Sequence, residues 1–159
     1  MKKLFFTLLA TSFYFTTNIA NATSPEREIK CLATNIYHES KGESDEGKVA
    51  VGAVVLNRVK DYRWPKTICE VVYQKDFVSS PKSKVCQFSW SCVKNKHIDF
   101  DSDEWKTSYQ LAENLYNNSD DVLLNGATHF HASYIPKPAW TKSLKYVKRI
   151  DNHIFYKME

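Results

Sequence analysis

Apolar residues recur at helical spacing in two segments of the chain, residues 26–40 and residues 103–117. A third segment, residues 45–60, is apolar almost throughout, which predicts a deeply buried helix. Thr67–Gln74 reads as a short helix with one apolar side. Ser24, followed directly by a proline, is typical of a helix N-cap and predicts where the first helix begins.

The last part of the chain has a different pattern. Ala127–Tyr134, Tyr146–Ile150 and His153–Tyr156 are rich in aromatic and β-branched residues, which predicts strands. The pair Asp151-Asn152 fits a tight hairpin turn between the last two of them. Residues 75–100 are predicted to be mainly loop. Helices followed by a small antiparallel sheet indicate an α+β fold with a groove between the helical part and the sheet.

Two carboxylates stand at the end of the first predicted helix. Glu39 follows the apolar face of that helix, Gly42 closes the helix, and Glu43 comes four residues after Glu39. A carboxyl group at a helix end that enters a cleft loses water, which raises its pKa and lets it serve as a general acid near neutral pH. The alternative is an exposed pair on a solvated helix end, and this segment alone does not decide between the two.

The N-terminus has the pattern of a secretory signal peptide over residues 1–22, with Lys2 and Lys3 before a short apolar run and Ala20-Asn21-Ala22 after it. Residues 23–159 are then expected to form one domain. Loss of the two lysines takes the formal charge from +4 to +2, a balance that gives no sign of nucleic-acid binding. We expect a monomer without stable membrane insertion, located in the periplasm, in the cell envelope or outside the cell.

Four cysteines follow the predicted leader: Cys31, Cys69, Cys86 and Cys92. An even number behind a signal peptide indicates disulfides, and four cysteines allow three pairings. Cys86 and Cys92 are close enough in sequence to close a small loop, which leaves Cys31 to pair with Cys69. A zinc site with four cysteine ligands is the competing hypothesis, but the chain has no Cys-x₂-Cys pair.

The segment from Asn35 to Glu43 resembles the "IYxEARGE" block of the SleB/CwlJ-like cell wall hydrolases, a family named for spore-cortex-lytic enzymes. Further blocks of that family have counterparts in the same order along nearly the whole remaining chain: Gly47–Val59, Trp64–Gln74, Cys86–Cys92, Gly126–His131, Pro138–Trp140 and His153–Tyr156. The usual Ala-Arg pair is Ser40-Lys41 here, so the positive charge is kept.

The resemblance implies a lysozyme-like or lytic-transglycosylase-like fold. It also implies cleavage of the β-1,4 bond between N-acetylmuramic acid and N-acetylglucosamine in the glycan strands of peptidoglycan, with Glu39 as the catalytic acid and no cofactor. Since a second carboxylate is not evident, a lytic transglycosylase with Glu39 as sole acid and base is predicted. Substrate contacts are predicted for Tyr37, Lys41, Glu43, Gln87, Phe88, Ser89, Trp90, His129, His131, Trp140 and Tyr156.

Two other functions remain open at this point. His129 and His131 alternate with Phe130 on a predicted strand, so both imidazoles share one face and could serve a zinc-dependent amidase or hydrolase. No helical His-Glu-x-x-His motif accompanies them. A non-catalytic peptidoglycan-binding module would need only the aromatic residues and Lys41, and it would leave the carboxylate at the helix end without a role.

Overall fold

The computed structural model describes residues 24–77, 84–94, 96–118 and 124–159. The predicted signal peptide lies outside these residues. Within them, every helix is too short or too polar to span a lipid bilayer. The described residues form an α+β fold, as expected, with four α-helices before a three-stranded antiparallel sheet.

The helices are α1 (Pro25–Glu39), α2 (Asp45–Lys60), α3 (Ile68–Val72) and α4 (Asp103–Asn117). Serine caps three of them at the N-terminus, and the first is the predicted Ser24, whose hydroxyl accepts a hydrogen bond from the backbone N–H of Arg27 at 3.3 Å. The predicted boundaries of the three long helices agree with the structure to within one residue.

Helix α2 lies at the centre of the molecule. On one side, Val55 and Leu56 belong to the core that α2 shares with α1, α3 and α4. On another side, Val51 and Val54 pack with Phe155 of the sheet in a second apolar cluster. Because α2 is covered on more than one side, it has no wide polar face, which accounts for its nearly continuous apolar sequence.

The sheet has the strand order β3 (His129–Ala132), β5 (His153–Lys157), β4 (Lys145–Ile150), and both pairings are antiparallel. The predicted turn at Asp151-Asn152 joins β4 to β5, with Asp151 in the left-handed region at φ 45°. The turn docks against the start of α2, because the Asp151 carboxylate accepts hydrogen bonds from the backbone N–H and the hydroxyl of Ser44. The sheet is thereby fixed to the helical part next to the end of α1.

Residues 75–100 contain more regular structure than predicted. Strands β1 (Lys75–Phe77) and β2 (Lys84–Cys86) pair antiparallel, and Ser89–Cys92 forms a turn of 3₁₀-helix. Each strand has three residues, too few for an alternating pattern to stand out from a loop. The expectation of a loop was therefore wrong for these short strands.

Both predicted disulfides are present, Cys31–Cys69 and Cys86–Cys92. The first joins α1 to α3, and a buried carboxylate reinforces the same junction: Glu28 of α1 accepts hydrogen bonds from the backbone N–H groups of Ile68 and Cys69. It thus satisfies the free donors at the start of α3. The second disulfide closes the loop that forms one wall of the cleft described below.

Candidate active site

A cleft of about 280 Å³ opens where α1 ends, between the Cys86–Cys92 loop and the sheet. Helix α1 contributes its last residue, α2 contributes one residue from its last turn, and the loop and the β3 region supply the walls. The residues that line the cleft are Glu39, Arg58, Cys86, Gln87, Phe88, Ser89, His129, Phe130 and Trp140. The cleft therefore lies between the helical part and the sheet, where the predicted α+β arrangement places a groove.

Glu39 is the carboxylate of this cleft. Burial raises its pKa to about 7, because the charged form loses hydration there, while the positive charge of Arg58 acts in the opposite direction. Loss of water outweighs attraction to Arg58. The Glu39 carboxyl group is thus half protonated close to neutral pH, which is the property that a general acid needs.

Arg58 brings a fixed positive charge to the cleft. Its side chain is buried, its Nε–H donates to the carbonyl of Thr128 at 2.8 Å, and its guanidinium lies 4.3 Å from the ring centroid of Trp64 and 5.1 Å from that of Phe88. Arg58 is not among the site residues predicted from the sequence. The available signal was an arginine within the apolar run of α2, since a charge in a buried segment needs a specific reason.

Some residues of the Cys86–Cys92 loop line the cleft, and Trp90 packs against α1 instead. Gln87, Phe88 and Ser89 line the cleft. Trp90 does not line it: its indole is buried, the Nε1–H donates to Asn35 Oδ1 at 3.1 Å, and the ring stacks on His38 at 4.5 Å between centroids. Trp90 thus fastens the loop to α1.

His129 lines the cleft directly, next to Trp140 at 5.6 Å between ring centroids. Burial lowers the pKa of His129 to about 4, and the charges of Arg58 and Arg63 act in the same direction, so this imidazole is neutral at physiological pH. Phe130, which the sequence analysis named only as a member of its strand, also reaches the lining. A neutral, partly aromatic wall therefore faces Glu39.

His131 and Tyr156 do not line the cleft, but both rings contact Trp140, which does. The two side chains are buried and stacked, with ring centroids 5.6 Å apart. His131 Nδ1 donates to the carbonyl of Ala132 at 2.9 Å, and Nε2 lies 3.3 Å from the Tyr156 hydroxyl. His131 and Tyr156 thus pack against Trp140 without lining the cleft themselves.

Three further predicted substrate contacts lie away from the cleft lining. Glu43 accepts hydrogen bonds from the backbone N–H and from Nδ2 of Asn152, each at 3.0 Å. Tyr37 is buried against Trp105, and Lys41 Nζ lies 5.6 Å from the centroid of the Tyr37 ring. Glu43 holds the β4–β5 turn, and Lys41 lies on the surface beyond the end of α1.

The residues of the alternative zinc site do not form a ligand set. Both ring nitrogens of His131 have hydrogen-bond partners, and His129 Nδ1 lies 2.9 Å from the Thr128 hydroxyl. Across the described ranges, no three His, Cys, Asp or Glu side chains are close enough together to hold one metal ion. The rings of His129 and His131 instead contact Trp140.

Comparison with known proteins gives consistent matches. The family model described as Cell Wall Hydrolase matches residues 42–156, a range that begins three residues after Glu39. The spore cortex-lytic enzyme of Halalkalibacterium halodurans is 27% identical over 143 residues, which cover 87% of this chain and 38% of that protein. The spore cortex-lytic enzyme of Bacillus subtilis is 27% identical over 80% of this chain and 37% of that protein. The chain thus spans less than half the length of these curated relatives.

Two solved structures resemble the fold. The catalytic domain of the Bacillus cereus SleB protein is 26% identical with a TM-score of 0.59, over 89% of this chain and 97% of that domain. The catalytic domain of the germination-specific lytic transglycosylase SleB from Bacillus anthracis is 24% identical with the same TM-score, over 87% of this chain and the whole of that domain, and this likeness is one of fold.

Proposed function

Because the chain belongs to the cell wall hydrolase family, we propose that it degrades peptidoglycan by cutting the β-1,4 bond between N-acetylmuramic acid and N-acetylglucosamine. We further propose a lytic transglycosylase mechanism in which Glu39 is the one acid and base. Family membership supports the cell-wall substrate. The assignment of Glu39 rests on the cleft, since this residue lies outside the matched range.

One observation carries the mechanism: Glu39 is the single carboxylate among the described residues that line the cleft, and its pKa is about 7. Glycosidases that use water or a covalent intermediate generally need two carboxylates on either side of the bond. The nearest carboxylate in sequence, Glu43, is held by Asn152 instead. A reaction with one acid and base therefore fits the cleft better than a reaction with two.

The reaction uses Glu39 twice. Protonated Glu39 donates its proton to the glycosidic oxygen as the bond from that oxygen to C1 of the muramic acid breaks. The resulting carboxylate then takes the proton of the C6 hydroxyl while the C6 oxygen bonds to C1, which gives a 1,6-anhydro sugar and returns Glu39 to its protonated form. Arg58 stabilises the carboxylate between the two steps, since its charge favours the ionised form of Glu39.

The remaining lining residues suit a sugar. Trp140 and Phe88 offer rings against which the apolar faces of a pyranose can pack, and Gln87 and Ser89 offer hydrogen-bonding groups for hydroxyl or acetamido substituents. Exposure of the Trp140 side chain supports this role, since 39% of the residue surface is accessible.

We also propose that the protein is a monomer. We further propose that it acts in an oxidising compartment outside the cytoplasm, because both cysteine pairs are disulfide-bonded.

Mass spectrometry of the material released from purified sacculi tests the proposal. We expect 1,6-anhydro muropeptides from the wild-type protein and almost none from Glu39→Gln. Reducing-end products would instead indicate a hydrolase. A free peptide amine whose release stops with EDTA and returns with zinc would establish a metal-dependent amidase and overturn the proposal.

A further inference from the structure

Acidic residues are missing from the two segments that carry the cleft walls. Residues 77–98 contain four lysines and no Asp or Glu, and residues 122–150 contain four lysines, one arginine and no Asp or Glu. All 18 acidic residues of the chain lie outside these two segments. The two segments that supply the loop and strand walls of the cleft thus carry basic residues and no acidic ones, which favours an anionic ligand near them.

Two of the basic side chains near the end of α1 are held on aromatic rings. Lys96 Nζ lies 4.9 Å from the ring centroid of Trp90, and Lys41 Nζ lies 5.6 Å from that of Tyr37. The ring of His38 connects the two platforms, stacked on Trp90 at 4.5 Å and edge-on to Tyr37 at 5.2 Å between centroids. We call Lys41, Lys96 and these three rings the basic shelf.

The ammonium groups of the shelf are available to a ligand. Lys41 and Lys96 are exposed, and neither forms an ion pair with a carboxylate in the described part of the chain. By contrast, Lys145 and Lys148 of β4 pair with Glu159 and Glu46. The shelf lysines thus differ from those of β4 in having no acidic partner.

Two residues of the shelf are direct sequence neighbours of residues that line the cleft. His38 of the shelf precedes Glu39 of the cleft in α1, and Trp90 of the shelf follows Ser89 of the cleft in the disulfide loop. Both lysines act on His38: its pKa is lowered chiefly by burial and further by the charges of Lys96 and Lys41. His38 is therefore neutral at physiological pH, and the positive charge of the shelf comes from the two lysines.

We propose that the basic shelf binds carboxylates of the peptide stems of peptidoglycan, so that the enzyme acts preferentially on strands that still carry their peptides. This inference rests on the proposed function for the identity of the polymer. Stem peptides are attached to the muramic acid beside the cleaved bond, and they bear several carboxylates. A ligand that places a sugar at Glu39 therefore brings anionic groups toward the basic shelf, whose residues His38 and Trp90 are next in sequence to Glu39 and Ser89 of the cleft.

Binding is measured in the Glu39→Gln background, so that no substrate is cut. Co-sedimentation with purified sacculi compares Lys41→Gln/Lys96→Gln with the matched control Lys30→Gln/Lys106→Gln. Lys30 also lies on α1 with its Nζ 5.6 Å from an aromatic centroid, that of Phe100, and Lys106 is an exposed lysine of α4. We expect about 3- to 10-fold weaker binding for the shelf variant and less than about 2-fold for the control, with the difference fading at high salt.

Two modified substrates identify the carboxylates. On sacculi whose carboxylates have been amidated with methylamine, the shelf variant and its control should bind equally. On strands from which an amidase has removed the peptides, leaving only the lactyl carboxylates, they should again bind equally. A shelf effect that persists on the stripped strands would assign the site to the lactyl group and overturn the stem-peptide proposal. Equal binding of the two variants to intact sacculi would overturn it as well.

Failure of the proposed function gives a different result. If the protein with Glu39 intact releases no anhydro muropeptides from the same sacculi, the transglycosylase proposal is wrong. The binding comparison still decides whether the shelf recognises stem peptides, because it does not depend on cleavage.

Discussion

Glu39 and Glu43 are four residues apart and lie in opposite kinds of environment. Glu39 ends α1 inside a cleft, where burial raises its pKa to about 7. Glu43 follows the Gly42 turn, its side chain is only 9% exposed, and its two oxygens accept hydrogen bonds from Asn152. Both carboxyl groups are largely withdrawn from water, but only Glu43 receives backbone and amide donors from the sheet.

Under the proposed function, burial alone does not decide which of the two glutamates is the catalytic acid. Hydrogen-bond donors stabilise a carboxylate and make it a structural anchor, while burial without enough compensating donors keeps the proton bound and makes an acid. The turn at Gly42 separates the two environments, since it follows the end of α1 and turns the chain toward the β4–β5 hairpin. The chemistry of the site thus depends on which neighbour each glutamate meets.

The strongest test of this difference is the substitution Glu39→Gln. An amide cannot donate the proton to the glycosidic oxygen, so we expect peptidoglycan turnover to fall by about 10²- to 10⁴-fold with the fold intact. Release of soluble muropeptides from sacculi measures turnover, and circular dichroism checks the fold. The matched variant Glu43→Gln should retain most of the activity per folded molecule. Comparable losses in both variants would show that the division between acid and anchor is wrong.

The pH dependence of the reaction is the next test. Glu39 has to be protonated to act first as an acid, and its raised pKa places that proton at about 7. We therefore expect kcat/KM to fall about tenfold for each pH unit well above pH 7. Initial rates on soluble glycan strands between pH 5 and pH 9 measure the profile. A decline centred near pH 4.5, the ordinary value for Glu, would contradict the assignment of Glu39 as a buried acid.

Much of this difference could be read from the sequence, because it follows from local patterns. The apolar face that ends at Glu39, the glycine after it and the Asp151-Asn152 turn are short-range signals, and all three elements are present. The spacing of the cysteines likewise gave both disulfides. The resemblance to the SleB/CwlJ-like cell wall hydrolases is confirmed by the family match and by the solved catalytic domains.

Long-range contacts could not be read in the same way. That Glu43 meets Asn152 depends on how the sheet docks on α2, through a contact across 109 positions of the chain. Arg58 reaches the cleft because α2 is central and covered on more than one side. The apolar sequence of α2 predicts that the helix is buried, but it does not show which element each of its residues contacts. Trp90 belongs to a block that matches the family, yet its ring packs on α1, and sequence does not tell the two sides of a loop apart.

The two glutamates should also affect stability in opposite directions. Between the ordinary pKa near 4.5 and about 7, the folded protein holds a proton on Glu39 that the unfolded chain has released, so this group's contribution to stability declines as pH rises through that window. At pH 8 we therefore expect Glu39→Gln to raise the free energy of unfolding by about 1–3 kcal/mol, and at pH 4 to leave it unchanged. Urea denaturation at the two pH values measures the effect.

Glu43→Gln should lower the free energy of unfolding at pH 8 by about 1–3 kcal/mol, because one of the two Asn152 donors then faces an amide N–H₂ group. The control is Glu46→Gln, which removes an exposed ion pair with Lys148 and should cost less than about 1 kcal/mol. A Glu43→Gln variant as stable as Glu46→Gln would mean that the contact with Asn152 does not hold the hairpin in solution.

The smallest expected effect concerns the turn between the two glutamates. Gly42 has φ 82°, and apart from its chain neighbours no heavy atom lies within 4 Å of the position that a Cβ would take. Gly42→Ala should therefore lower the free energy of unfolding only by the cost of the left-handed backbone, about 1–2 kcal/mol. Gly126→Ala is the matched control, with φ 77° and equally open surroundings. Both variants should lose similar stability and keep their activity, because Glu39 is positioned by α1, which already ends before the turn. If Gly42→Ala alone lost tenfold in turnover at a temperature where both variants are folded, the turn itself would position the acid, and Glu39 and Glu43 would have to be treated as one unit.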